Sequence, residues 1–181
     1  MKRSRRLICL LLGILLCFSA VGCSKTEPEN TGIASCTTLG KQLLQKVNDK
    51  EVTLNCDTLC CYGDERFADN FDYLYGIPAE YVSDGFILYA ASGGTADEVS
   101  LLQPADAGKG SYITNALQSR IAKRQQDFNG YNDKEVQKLD HAAVAPIGNR
   151  IALIVSDNPD AIAKTLRQIL KQQSKQSEND K

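Results

Sequence analysis

Two apolar runs, each beside a glycine turn, constrain the fold of this chain more than any other feature. The first run, Gly85–Ala91, is nearly unbroken and leads into Gly93-Gly94. Such a run is typical of a strand that is covered on both faces or lies at the centre of a sheet. Two consecutive glycines supply the positive φ angles of a tight turn, so we predict a β-hairpin over residues 84–102.

A second hairpin is predicted over residues 142–155. Its second strand, Arg150–Val155, contains the apolar run Ile151–Val155, and Gly148-Asn149 is a two-residue turn that matches the twist of paired strands. A long helix from Ser111 to about Phe128 follows the first hairpin. Another helix follows the second, and Asp157-Asn158-Pro159 marks its start. The pattern is ββα twice, which predicts an α+β fold: a mainly antiparallel sheet of about four strands, with helices on one side.

Three shorter helices complete the prediction. One runs to about Asn48 and can be capped by Thr37 or Thr38, and another covers residues 66–75. The third begins at Asn132, where Glu135 follows at the spacing of a capping box, and ends near residue 140. Residues 50–65 are less defined. Alternation at 52–56 favours a short strand or extended segment there.

The N-terminus has the composition of an export signal. Residues 1–6 are basic, residues 7–20 are apolar, and Ala20-Val21-Gly22-Cys23 resembles a bacterial lipobox. We therefore expect a signal peptide over 1–22, lipidation of Cys23, a flexible tether over 23–35, a single domain over 36–172 and a disordered tail over 173–181. Two alternatives are an uncleaved anchor helix and cleavage without lipidation. Each of the three places the domain outside the cytoplasmic membrane, and lipidation would hold it on the extracytoplasmic face of the cell membrane.

The net charge of the exported part argues against two kinds of interaction. Four of the 21 basic residues and none of the 22 acidic residues lie in 1–22, so the exported part has a net charge of about −5. This balance argues against nucleic acid and against a polybasic membrane patch.

Four cysteines remain in the exported domain: Cys36, Cys56, Cys60 and Cys61. In an exported protein they can form one or two disulfides. Free buried thiols and a metal or redox site are the alternatives. Because Cys60 and Cys61 are adjacent, their side chains would point in different directions from an extended backbone, which disfavours a shared metal.

The strongest polar constellation is Asp97 and Glu98 on the first hairpin with Arg120 and Arg124 on the helix after it. If Val99 faces the core, alternation sends Glu98 to the opposite face, where it can meet an arginine. The interpretations are a structural ion pair, a ligand or partner contact, and carboxylate catalysis. His141, the one histidine, begins a strand and lacks a surrounding catalytic motif. No metal site or cofactor is predicted.

From about residue 75 to residue 170 the chain resembles a family of uncharacterised bacterial lipoproteins, found mainly in Gram-positive gut bacteria and classed as a domain of unknown function. The resemblance is carried by four segments: YGI from Tyr75, GTADEVSLL from Gly94, the arginine-rich stretch Arg120–Gln125, and GNRIALIVSDN from Gly148. It implies an anchored N-terminus and, as a partner, an envelope system such as one for O-acylation of surface polymers. It implies no catalytic residue.

Together these features predict a lipid-anchored surface protein that binds an envelope protein or polymer without catalysis. An exported enzyme that acts on envelope polymers through carboxylates near Glu98 is one alternative. A thiol-redox protein that uses Cys56, Cys60 and Cys61 is another. The four aromatic residues within 67–75 are expected to pack under the sheet, although a carbohydrate-stacking surface would have the same composition.

Overall fold

The computed structural model describes residues 35–179, which form one five-stranded antiparallel sheet and five α-helices. The strands are β1 Thr58–Cys61, β2 Val82–Tyr89, β3 Glu98–Pro104, β4 Ala143–Ile147 and β5 Arg150–Val155. The helices are α1 Cys36–Asn48, α2 Phe67–Tyr75, α3 Gly110–Phe128, α4 Asp133–Asp140 and α5 Pro159–Asn179. The strand order is β1-β2-β3-β5-β4, so β3 is central and each pair is antiparallel. The α+β prediction is confirmed.

Helices cover both faces of the sheet. Alternate residues of a strand point to opposite faces, and both sets are apolar in the central strands. On the first face, α1 and α5 pack on residues such as Phe86, Leu101 and Ile154. On the second face, α2, α3 and α4 pack on residues such as Ile87 and Leu153. The expectation of helices on one side is therefore wrong, because strands that are apolar on both faces need two covering layers.

The first hairpin has a longer connection than the glycine pair predicts. β2 ends at Tyr89 and β3 begins at Glu98, so residues 90–97 form a loop. Of the two glycines, Gly93 has a positive φ, of 67°. The second hairpin is as predicted, with Ile147 paired to Arg150 across the turn and a φ of 63° at Gly148.

The fifth strand, β1, lies in the segment that the sequence left undefined. It forms at 58–61 and not at 52–56, and it pairs with β2 so that Cys60 lies opposite Ile87. Val52 and Leu54 instead pack against the first-face core without joining the sheet. A four-residue strand without alternating polar residues has almost no local sequence signal. For this reason the sequence predicted about four strands and the sheet has five.

Helix ends differ in detail from the predicted ones. Ser35, not Thr37 or Thr38, caps α1 by accepting a hydrogen bond from the backbone N–H of Thr38. Asn158 caps α5 through the N–H of Ala161. This last helix continues to Asn179, through most of the predicted disordered tail, because its lysine and glutamine residues are good helix formers.

The predicted signal peptide, the predicted lipidation site Cys23 and most of the predicted tether lie outside the described residues. Within residues 35–179, no helix is both long enough and apolar enough to cross a membrane.

Candidate functional site

Glu98 and Arg120 form a buried ion pair between the sheet and α3. Glu98 opens β3 and faces the second face, as the alternation with Val99 predicted. Arg120 lies on the same side of α3 as Ile113 and Leu117, because residues three and four apart share a helix face. The Nη2 and Nε atoms of Arg120 lie 2.9 and 3.1 Å from Oε2 of Glu98, whose side chain is 4% exposed.

Both carboxylate oxygens of Glu98 are engaged. While Oε2 accepts from Arg120, Oε1 accepts a hydrogen bond of 2.9 Å from the hydroxyl of Tyr75, which also contacts the hydroxyl of Ser100. Burial, reinforced by the charge of Glu98, raises the pKa of Tyr75 well above its usual value. Burial would lower the pKa of Arg120, but the charge and hydrogen bonds of Glu98 outweigh this effect and raise it. Tyr75 therefore stays a neutral donor and Arg120 stays a cation.

The other two residues of the predicted constellation lie elsewhere. Asp97 points away from both arginines: its Oδ1 lies 2.9 Å from Nζ of Lys138, and its Oδ2 accepts from the backbone and side chain of Asn55. Arg124 donates to the carbonyl of Thr95 at 2.9 Å. The guanidinium of Arg124 also lies 4.5 Å from the centre of the Phe128 ring. Of the four predicted residues, Glu98 and Arg120 therefore pair with each other, whereas Asp97 and Arg124 make separate contacts around the 90–97 loop.

Two residues of α4, Glu135 and Lys138, hold that loop, and the sequence did not single them out as a pair. Oε2 of Glu135 accepts from the N–H of Ala96 at 2.7 Å and from the hydroxyl of Thr95 at 3.1 Å. Nζ of Lys138 lies 3.0 Å from the same carboxylate. Glu135 was expected to cap its own helix at Asn132, but its carboxylate bonds to the loop instead.

The charges in this network are mutually stabilised. Burial would raise the pKa of Glu135, but hydrogen bonds from Ala96, Lys138 and Thr95 outweigh it and lower the pKa. Burial would lower the pKa of Lys138, but its bonds to Asp97 and Glu135 raise it. Both groups therefore remain ionised near neutral pH.

A groove of about 270 Å³ lies between the 90–97 loop and α3, with α2 at its side. We call it the loop–helix groove. Glu98 and Asp97 line its inner part, and Lys123 and Asp127 line it from the exposed side of α3. Its other lining residues are Tyr73, Leu74, Tyr89, Ala90, Ala91, Gly93, Thr95, Ala96, Arg120 and Arg124.

One side of the groove is fixed and another is exposed. The 95–97 end of the loop is held by α4 and Arg124, whereas residues 91–94 are exposed. Of the four aromatic residues in 67–75, Phe67, Phe71 and Tyr75 pack on the sheet as predicted, and Tyr73 is 86% exposed. The groove can therefore hold a small polar group, or one segment of a longer polymer, beside an open tyrosine ring.

The four cysteines are buried free thiols in the structure. Cys60 faces the second face while Cys61 faces the first, as their adjacency predicted. Burial, with the charge of Asp84 adding to it, raises the pKa of Cys36 to about 12. Burial also raises the pKa of Cys56 and that of Cys61. Such thiols are poor nucleophiles, which disfavours the redox alternative. The predicted disulfide stays a prediction.

His141 follows α4 and is exposed, with Nδ1 2.7 Å from the carbonyl oxygen of Gln137 one turn earlier. This local contact fits a structural residue at the boundary between α4 and β4. In the part of the chain described, no three His, Cys, Asp or Glu side chains cluster in a way that could hold a metal ion.

Comparison with known families gives one match. The model of a family described as a domain of unknown function, DUF4358, matches residues 64–156. No curated protein and no solved structure matches the chain. The matched segment includes Glu98, Arg120 and Arg124, together with Glu135 and Lys138, so the groove and the network behind it belong to the family region.

Proposed function

The chain belongs to the DUF4358 family, and we propose that it is a non-enzymatic, lipid-anchored module that binds an envelope protein or polymer through the loop–helix groove. The single observation that carries the proposal is the state of Glu98 at the inner end of that groove. Its two oxygens are taken by Arg120 and Tyr75, and its side chain is 4% exposed.

This state of Glu98 favours binding over acid–base catalysis. A general acid or base needs a carboxyl group within reach of the substrate and a pKa near the working pH. Glu98 has no open oxygen, and Asp97 is tied to Lys138 and Asn55. The remaining carboxylate, Asp127, lies beside Lys123 at the exposed margin. The groove therefore offers a rigid polar surface and not a poised acid–base pair.

The outer part of the groove supplies the binding chemistry. Lys123 is 67% exposed and can contact an anionic or hydroxyl-rich partner, and the open ring of Tyr73 can stack on an apolar or sugar face. Because the loop is already held by Glu135 and Arg124, a partner loses little affinity to the ordering of this wall.

The cellular part of the proposal comes from the N-terminal sequence. Its lipobox-like Cys23 would anchor the domain to the outer side of a bacterial cell membrane, most simply in a Gram-positive organism. Such a position would bring the groove close to cell-envelope polymers and to proteins such as those that O-acylate them.

Site-directed photocrosslinking in intact cells tests the binding site. A photoreactive phenylalanine analogue at Tyr73 should give a defined adduct. The same analogue at Tyr131, a matched control that is 80% exposed and outside the groove, should not. Adding Lys123→Glu to the Tyr73 probe should weaken that adduct. Equal adducts from both positions, or none from Tyr73, would contradict a binding role for the groove.

Fractionation tests the anchor. Cys23→Ala should release the protein from membranes, whereas Cys17→Ala, within the predicted signal peptide, should leave retention unchanged. Full retention of the Cys23→Ala protein would argue against lipidation at this site.

A further inference from the structure

The described chain begins at one end of the sheet, the end where β2 starts and β3 finishes. The backbone N–H of Cys36 donates to Oδ2 of Asp84 at 2.6 Å, and Nε of Arg150 donates to the Cys36 thiol at 3.1 Å. Asp84 lies near the start of β2, and Arg150 is the first residue of β5. These contacts fix the first turn of α1 at this end, which we call the N-terminal end of the sheet.

Tyrosine and lysine side chains cluster at the same end. Tyr81 directly precedes β2, and its carbonyl accepts from Ala105, which follows β3. The rings of Tyr81 and Tyr112 meet edge to face at 5.6 Å, and Nζ of Lys109 lies 4.1 Å from the centre of the Tyr81 ring. Tyr112 is 56% exposed. We call Tyr81, Lys109 and Tyr112 the tyrosine–lysine patch.

A second exposed tyrosine lies at this end, directly after the neighbouring strand. Tyr62 follows β1, and its backbone N–H donates to Gly85 at 2.8 Å. Its ring is 42% exposed and packs edge-on against Phe67. The N-terminal end of the sheet thus carries two exposed amphipathic rings, those of Tyr62 and Tyr112.

We propose that the tyrosine–lysine patch rests on the surface of the lipid bilayer that holds the chain. This inference rests on the proposed lipid anchor at Cys23. Tyrosine is enriched at membrane interfaces because its ring prefers the headgroup boundary while its hydroxyl stays hydrated. A lysine beside it can extend its amine to the phosphate layer while its alkyl chain contacts apolar groups.

The number of residues between Cys23 and Ser35 supports the lipid bilayer as the surface that the patch contacts. Residues 24–34 separate Cys23 from Ser35. At full extension they reach at most about 40 Å. Since Ser35 caps α1 at the N-terminal end of the sheet, that end lies within this distance of the proposed anchor, and the patch is within reach of the bilayer.

This orientation places the loop–helix groove on the far side of the domain. Strand β2 starts beside the patch and ends at Tyr89, which lines the groove. A strand of this length spans roughly 25 Å. The groove therefore faces away from the lipid, and its occupant is a component that stands beyond the bilayer surface.

A tryptophan reporter tests the orientation, because the chain has no tryptophan of its own. The full-length lipidated protein is reconstituted in vesicles of phosphatidylcholine and phosphatidylglycerol, with and without brominated acyl chains. The two variants are Tyr112→Trp in the patch and Tyr131→Trp, which follows the far end of α3 and is 80% exposed. Emission of Tyr112→Trp should shift to shorter wavelength on reconstitution and lose intensity with brominated lipid. Emission of Tyr131→Trp should do neither.

Sedimentation of the same vesicles separates the two proposals. If the protein pellets with the vesicles but the two reporters are quenched equally, or neither is quenched, the anchor stands and the orientation is wrong. If the protein does not pellet, both the anchor and the orientation are wrong. Far-ultraviolet circular dichroism of each variant establishes that the fold is intact.

Discussion

Replacement of Lys138 by methionine should destabilise the fold strongly. The Lys138 side chain is 2% exposed, and its amine lies 2.9 Å from Asp97 and 3.0 Å from Glu135. Methionine keeps the volume and removes the charge, so two buried carboxylates lose their shared cation. Removal of one partner from a buried ion pair costs about 3–5 kcal/mol. We expect about 3 kcal/mol, the lower limit of that range, because Asn55 and Ala96 still donate to the carboxylates.

Urea unfolding at pH 7, followed by circular dichroism, measures this cost. With a urea dependence of about 2 kcal/mol per molar, typical of a domain of this size, the midpoint should fall by about 1.5 M. Lys123→Met is the matched control. Lys123 also pairs with a carboxylate, but it is 67% exposed, so its replacement should cost less than about 1 kcal/mol.

The pH dependence distinguishes lost charge pairing from lost packing. When the Glu135 carboxylate is protonated it no longer needs a cation, so the difference between Lys138→Met and the wild type should shrink as pH falls below the usual glutamate pKa of 4.5. A destabilisation below about 1 kcal/mol at pH 7, or one that does not change with pH, would refute the reasoning.

Three further predictions concern single residues. Gly40→Ala would place a Cβ 2.7 Å from Cγ of Phe86. The free energy of unfolding should fall by about 1–2 kcal/mol, because overpacking costs roughly 2–3 kcal/mol and the better helix propensity of alanine returns about 1 kcal/mol. Gly94→Ala is the control: its nearest neighbour would be 3.7 Å away, so the free energy of unfolding should change by less than about 0.5 kcal/mol. Cys36 should resist Ellman's reagent in the native protein and react in denaturant, because burial raises its thiol pKa to about 12; rapid native labelling at this cysteine would contradict that burial. The folded-state pKa of Glu135 is lowered, so the stabilisation that Glu135 gives is present above pH 4.5 and is lost as pH falls through that lowered pKa. The melting temperature of Glu135→Gln should therefore fall less steeply with decreasing pH than that of the wild type. Parallel falls in melting temperature would exclude this contribution.

The elements with their own local signals could be predicted from the sequence. Gly148-Asn149 defines the second hairpin, and Asn158-Pro159 defines the start of α5, because turns and caps depend on a few adjacent residues. The contact of Glu98 with an arginine of the following helix was predicted for a similar reason, without a choice between Arg120 and Arg124. Alternation along a strand and periodicity along a helix place both side chains on facing surfaces.

Features that depend on distant residues could not be predicted. The sequence around Lys138 predicts a helix, but a helix accommodates an exposed lysine as well as a buried one. Lys138 is buried because it pairs with Asp97, which is remote in sequence. Glu135 had a local interpretation as a capping residue, but the N–H of Ala96 competes for it. The 90–97 loop extends beyond its glycine pair because those contacts stabilise an open conformation. The apolar run Gly85–Ala91 is compatible with a strand covered on both faces, but helices were predicted on one side only, because the run does not identify which helices cover it.

The two-sided covering of the sheet has a practical consequence for the choice of recombinant fragments. The family match spans residues 64–156, which omits α1, β1 and α5. A fragment cut at those limits would retain the groove but lose both helices of the first face. Phe86, Leu101 and Ile154 would then lie in an uncovered apolar surface, and β2 would become a bare edge. Both features promote aggregation. Fragments intended for binding studies should therefore begin before Cys36 and extend beyond Ile169. Residues 64–156 then keep the two helices that cover the apolar first face of the sheet.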